Sequence, residues 1–129
     1  MTPNILIVDD SKTIQRIIEN IVKQIIPLSV IHIANNGSEA LKIFNNNKIS
    51  LVLTDWNMPV MNGLDLVRNI RINDKTTPIW MITTEGGRCE VVTALKEGVN
   101  NYIIKPVDRD ILNEKINRLF NTIKDKNDK

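Results

Sequence analysis

Three aspartates, two threonines and a lysine stand where this sequence passes from short apolar runs into polar segments. Asp9-Asp10 follows Ile5 to Val8, Asp55 follows Leu51 to Thr54, Thr83-Thr84 follows Ile79 to Ile82, and Lys105 follows Tyr102 to Ile104. Carboxylates gathered in one place repel, and without help at least one must hold a proton. A hard divalent cation removes that conflict. Magnesium prefers oxygen ligands, keeps several waters and takes one or two carboxylates directly, which leaves a position for a phosphate oxygen. A lysine beside the cluster pairs with an aspartate at rest and with a phosphoryl group when one arrives. An aspartate is also a competent nucleophile toward phosphorus, with metal and ammonium neutralising the transition-state charge. Each piece has a plainer reading alone: Asp9-Asp10 as a helix cap, Asp55 as a turn residue, Lys105 as a surface charge. The set in this order points to phosphoryl chemistry.

The elements around these residues are those that would bring them together. Ile14, Ile17, Ile18, Ile21, Val22 and Ile25 recur at helical spacing and stop at Pro27. Val30 to Ala34 reads as a second strand, followed by an Asn36-Gly37 turn and a helix carrying Ala40, Leu41 and Phe44. Leu51 to Leu53 is a third strand, and a loop with Pro59 and Gly63 leads to a helix with Leu64, Val67, Ile70 and Ile72. Ile79 to Ile82, a helix with Val91, Val92 and Leu95 closing at Gly98, and Tyr102 to Ile104 continue the alternation. The last helix carries Ile111, Leu112, Ile116, Leu119, Phe120 and Ile123, and 124–129 reads as a polar tail that frays. The helical stripes read as core. Five strands alternating with five helices predict a doubly wound α/β fold with a parallel sheet covered on both faces. Ligands in such a sheet bind at the carboxyl ends of the strands, where all six residues fall.

Composition narrows the classes. The chain has 129 residues, enough for one domain spanning 1–129 and too few for two. Apolar residues make up 42% and aromatics only 4%, so the core must be mostly Ile, Val and Leu. Net charge is +2, with 17 basic and 15 acidic residues dispersed, so no basic arm calls for nucleic acid. The single cysteine, Cys89, excludes an internal disulfide, and no apolar run spans a membrane. These features are read as cytoplasmic. His32 and Trp80 are read as packing residues, and Cys89 as an incidental thiol.

At Asp9-Asp10, Asp55, Thr83 and Lys105-Pro106 the sequence resembles the bacterial two-component response-regulator receiver family, over essentially the whole chain. The run Asp55-Trp56-Asn57-Met58-Pro59 with Met61-Asn62-Gly63, Tyr102 three residues before Lys105, and Glu114 to Phe120 are similar to the single-domain chemotaxis branch, CheY-like. The resemblance implies a flavodoxin-like (βα)5 fold with strand order 2-1-3-4-5. It implies that Asp55 is the phosphoacceptor and that Mg2+ is held by Asp10, Asp55 and the Asn57 backbone carbonyl, with Asp9 acting through water. Lys105 and Thr83 would contact the phosphoryl group, Thr83 and Tyr102 would form the switch, and Asn57 and Glu85 would tune dephosphorylation to seconds or minutes. Arg88, Tyr102 and Lys115 would meet partners: a histidine kinase of chemotaxis type, the flagellar motor switch and a phosphatase. The Lys105-Pro106 bond would be cis and the protein a monomer. Gly86-Gly87 is a departure, expected to loosen the start of the fourth helix, and Val107 stands where relatives often have Phe. Two other functions fit less well. A receiver in another phosphorelay shares all the chemistry. A magnesium phosphohydrolase would want a second acid at the Asn57 position and a cap domain.

Overall fold

The computed structural model describes residues 2–127, with side chains as far as Asn121. Ten elements alternate along it: β1 (Asn4–Val8), α1 (Lys12–Ile25), β2 (Val30–Ala34), α2 (Gly37–Asn46), β3 (Leu51–Thr54), α3 (Gly63–Asn73), β4 (Ile79–Thr83), α4 (Arg88–Glu97), β5 (Asn101–Ile104) and α5 (Arg109–Asn127). The strands form one parallel sheet in the order β2-β1-β3-β4-β5, the doubly wound arrangement expected. Side chains alternate between the faces of a strand, and both faces here are apolar. Leu6, Val8, Val52, Ile79 and Met81 pack with Ala40 of α2, Leu66 and Val67 of α3 and Ala94 of α4. Ile5, Ile7, Leu51, Leu53, Trp80 and Ile82 pack with Ile18 and Val22 of α1 and Leu112 and Ile116 of α5. Trp80 is therefore core, as read from the sequence.

Register decides where the polar residues emerge. Val8 lies opposite Thr54, so Asp9 and Asp55 leave the sheet at one level, and the Asp55 N–H donates to the Val8 carbonyl at 2.9 Å. Thr83 lies opposite Ile104, and the Lys105 N–H donates to the Thr83 carbonyl at 2.9 Å. Ser11, Asn36 and Asn62 cap α1, α2 and α3 through their side chains, whereas Gly87 offers α4 no such bond.

Several local expectations change. Asn36-Gly37 is the capped start of α2 instead of a separate turn. The two glycines precede α4 instead of opening it, because Gly87 is extended at φ −66° and ψ 149°. Ile72 is 69% exposed: only one side of α3 reaches the sheet, and Ile72 is turned off it. The stripes are also only partly core, since Ile17, Val92, Leu95 and Ile111 are exposed. Helix α5 runs on to Asn127 through the segment read as a tail. The Ile123 side chain and residues 128–129 lie outside the described residues.

A buried arginine joins the fold's second half. Arg71 donates to the Gly98 carbonyl from Nε and Nη2 at 3.1 and 2.9 Å, and to Asn100 Oδ1 at 3.1 Å. Asn100 Oδ1 also accepts the Ile79 N–H at 2.8 Å, so one guanidinium ties α3 to the end of α4 and the start of β4. Truncation takes both of these donors from the Gly98 carbonyl and one of the two from Asn100 Oδ1, at about 1–3 kcal/mol. Arg71→Ala is expected to lower stability by about 2 kcal/mol in urea unfolding. An unchanged midpoint would mean that water replaces the guanidinium.

Candidate functional site

The sheet edge gathers the acids as the strand ends imply. One carboxylate oxygen each from Asp9, Asp10 and Asp55 lies within 4.8 Å of the others. Lys105 reaches across from the end of β5, its Nζ 2.8 Å from Asp9 Oδ2 and 3.1 Å from Asp55 Oδ2. The Lys105-Pro106 bond is cis, as expected. Main-chain donors hold the remaining oxygens: Ser11 N–H on Asp9 Oδ1 at 2.9 Å and Trp56 N–H on Asp55 Oδ1 at 2.7 Å. Asp9 and Asp55 are buried, while Asp10 is exposed and opens the cluster to solvent. Burial pushes the Asp9 carboxyl above its ordinary value, although the Lys105 hydrogen bond opposes this. Burial disfavours the Lys105 ammonium, yet its bonds to Asp9 and Asp55 prevail and raise its pKa.

Three carboxylates face one ammonium here, and the donors are all oxygen. His32 is engaged with Asn4 Oδ1 at 3.1 Å instead, and Cys89 is an exposed free thiol at the start of α4. The donor set fits a hard divalent ion such as magnesium and offers nothing that selects zinc.

The other expected residues surround this centre. Thr83 is fully buried, and its Oγ1 accepts the Glu85 N–H at 3.3 Å. Asn57 Nδ2 donates to Glu85 Oε1 at 2.8 Å, so the loops after β3 and β4 are bridged directly. The Tyr102 hydroxyl donates to the Glu85 carbonyl, and its ring packs against the core face that holds Met81. Arg88 begins α4, and Lys115 on α5 donates to Asn101 Oδ1 at 3.3 Å; neither joins the acids. Around them Val92, Leu95, Ile104 and Ile111 are exposed, giving the α4-β5-α5 side an apolar surface. Val107 packs with the α1 and α5 core.

Two features were missed in the sequence reading. Gly63 packs so closely on the Asp55 carbonyl that a Cβ would overlap it. Gln15 is buried on the stripe of Ile18 and Val22, and its amide bonds the Asp9 carbonyl. A lone polar residue at helical spacing on an apolar stripe was the available signal for Gln15.

Tyr102, the one tyrosine of the chain, has a pKa pushed up to about 12 from 10.0, by burial first and then by Glu85, Glu90 and Asp55. The fold thus favours the neutral phenol. Its contribution to stability is present below pH 10.0 and is lost as pH rises toward about 12. At about pH 11 the folded protein is expected to show little phenolate absorbance, whereas the urea-unfolded chain is mostly phenolate. Equal absorbance in both states would show that the ring is not held against the Glu85 carbonyl in solution.

Comparison with known proteins agrees with this geometry. A family model described as response regulator receiver domain matches residues 5–117. The chain is 49% identical to chemotaxis protein CheY1 of Helicobacter pylori over 121 residues, covering 92% of this chain and 97% of that protein. It is 46% identical to a CheY homolog of Campylobacter jejuni, over 92% of each chain. Among solved structures, it is similar to a receiver domain protein (CheY-like) of Methanospirillum hungatei, with TM-score 0.86, 28% identity, and 97% and 99% of the two chains covered. A CheX-CheY-BeF3-Mg complex from Borrelia burgdorferi contains a chain with TM-score 0.85 and 31% identity, covering 92% of this chain and 89% of that one. No helix among the described residues is long and apolar enough to cross a membrane.

Proposed function

This chain belongs to the response regulator receiver domain family and is of CheY type, and on that premise we propose that it is a chemotaxis switch that stores a phosphoryl group on Asp55. The observation that carries the reading is the Lys105 ammonium shared between Asp9 and Asp55 beside a third carboxylate, Asp10. In the proposed reaction a carboxylate oxygen of Asp55 attacks the phosphorus of a phosphohistidine. The P–N bond breaks with its electron pair returning to the imidazole, and an acyl phosphate remains. Trp56 N–H and Lys105 already orient the Asp55 carboxylate for this, and Lys105 can follow a phosphoryl oxygen as the new charge arrives. The Thr83 hydroxyl, at the neighbouring strand end, donates to the same group. Asp10, Asp55 and the Asn57 carbonyl would hold Mg2+, with Asp9 contributing through water. Bound there, the ion supplies charge neutralisation for the transferring group. The beryllofluoride and magnesium named for the Borrelia burgdorferi relative support this assignment.

Phosphorylation brings about −1.5 to −2 charges and three acceptors to this edge. Thr83 Oγ1 now accepts from Glu85 N–H, and the Glu85 carbonyl accepts from Tyr102. Drawing the Thr83 hydroxyl to phosphate therefore disturbs the loop that holds the tyrosine. In the proposed switch this changes the surface of Arg88, Tyr102 and Lys115 that meets the flagellar motor switch, while the kinase and a phosphatase load and clear Asp55. The Asn57–Glu85 bond bridges the loops after β3 and β4, consistent with the proposed role of these two residues in tuning dephosphorylation. The test is incubation with acetyl phosphate, with and without Mg2+, read by intact mass, with Asp55→Asn alongside. One phosphoryl group gained only with Mg2+ and only by the unmutated chain is the expected result. No gain under any condition would overturn the reading in favour of a phosphate-free scaffold.

A further inference from the structure

We propose that Gln15 is a positioning residue that presets the acidic cluster for its cation and couples that cluster to the start of α2. The inference rests on the proposed Asp10–Asp55 magnesium site. Gln15 lies on the α1 stripe that also buries Ile18 and Val22, and it is only 5% exposed. An amide in that place is costly unless bonded. Its Nε2 donates to the Asp9 carbonyl at 2.6 Å and to Asn35 Oδ1 at 2.8 Å.

The first bond completes the fixing of Asp9. Its N–H is held by Ala34, its Oδ1 by Ser11 and its Oδ2 by Lys105, so only the carbonyl depends on a side chain of α1. That carbonyl belongs to the planar Asp9–Asp10 peptide, so holding its oxygen sets the direction in which Asp10 leaves. Asp10 is exposed and its side chain has no hydrogen bond among the described residues, so its direction is set by the main chain on either side, which Gln15 holds before it and the Ser11 N–H after it. Groups that orient metal ligands from behind commonly change affinity by about 10–100-fold.

The second bond continues outward. The Asn35 N–H and Nδ2 both donate to Glu39 Oε1 at 3.2 Å, and Asn36 Oδ1 caps the Glu39 N–H at 2.9 Å. A cation that pulls on Asp10 therefore pulls through Gln15 on the first turn of α2, near the β2 edge of the sheet and opposite the β5 edge.

Magnesium titrations of the full chain by calorimetry and by backbone amide spectra test this, with Gln15→Met as the same-length variant lacking donors. The expected result is magnesium affinity about tenfold lower in Gln15→Met while its unfolding stays cooperative. Loss of stability alone would not change the affinity of the folded fraction. Magnesium should also shift the Asn35 and Glu39 amides in the unmutated protein and leave them unmoved in the variant. Asn35→Ala, which leaves the core intact, should lose the Glu39 shift alone, and it decides the question if Gln15→Met does not fold. Affinity within twofold of the parent, or an unchanged Glu39 response in Asn35→Ala, overturns the inference. If the unmutated protein binds no magnesium, the proposed function falls with it.

Discussion

Replacing Lys105 with methionine is expected to lower stability by about 3 kcal/mol near neutral pH. Methionine keeps the packing of the lysine stem and removes only the ammonium that lies 2.8 Å from Asp9 and 3.1 Å from Asp55. Breaking a buried ion pair from one side costs about 3–5 kcal/mol, because the remaining charge is uncompensated. The lower end applies here, since exposed Asp10 lets water reach the cluster. The sign of the pH dependence follows from Asp9, whose carboxyl burial already holds above the ordinary 3.8. Its contribution to stability is present below that value and is lost as pH rises through the raised one. Without Lys105 the loss deepens, so the gap between variant and parent should widen from acid to neutral pH. Magnesium should stabilise the variant more than the parent, because the ion supplies charge the lysine no longer does. Urea midpoints with and without Mg2+ measure all of this. A variant as stable as the parent in Mg-free buffer would show the acids to be well hydrated and the lysine dispensable to the fold.

Gly63→Ala should be about as damaging, for a steric reason. A Cβ at Gly63 would overlap the main-chain carbonyl of Asp55, with the Asp55 C and Trp56 Cα close behind at 2.9 and 3.0 Å. These are backbone atoms, fixed by the Asp55 N–H on Val8 and by the Gly63 N–H on the Trp56 carbonyl at 2.8 Å, so no rotamer change relieves the clash. Overpacking a tight site costs typically about 1–3 kcal/mol, and a backbone-limited one belongs at the top of that range. The atoms forced to move carry Asp55, the proposed phosphoacceptor, so labelling by acetyl phosphate should fall with stability. Gly86→Ala is the control: its Cβ would meet only the Ile104 side chain, Cδ1 at 3.2 Å and Cγ1 at 3.9 Å, the flexible end of a half-exposed residue. If both variants unfold alike, the close approach at Asp55 is not what requires glycine at position 63.

The acidic centre was legible in the sequence for a definite reason. Asp9, Asp55 and Lys105 each follow a largely apolar strand and Thr83 ends one, and a parallel sheet places all such ends on one edge. Strand identity alone therefore implied their convergence. The switch and partner residues were named only through the family resemblance. The structure adds that Tyr102 is already bonded to the Glu85 carbonyl and that Asn57 meets Glu85 directly.

What the sequence determined by itself is thus the alternation of strand and helix and the chemistry waiting at the strand ends, since periodicity and residue type are local properties. Only the tertiary structure decided which apolar residues stay outside the core, as with Ile72 and Leu95, because that depends on how far each helix overlaps the sheet. It alone decided that Arg71 closes on Gly98 and Asn100, that Gln15 reaches Asp9, and that Gly63 abuts Asp55. Those contacts join residues on different elements, and no spacing along one chain segment encodes the distance between two packed ones.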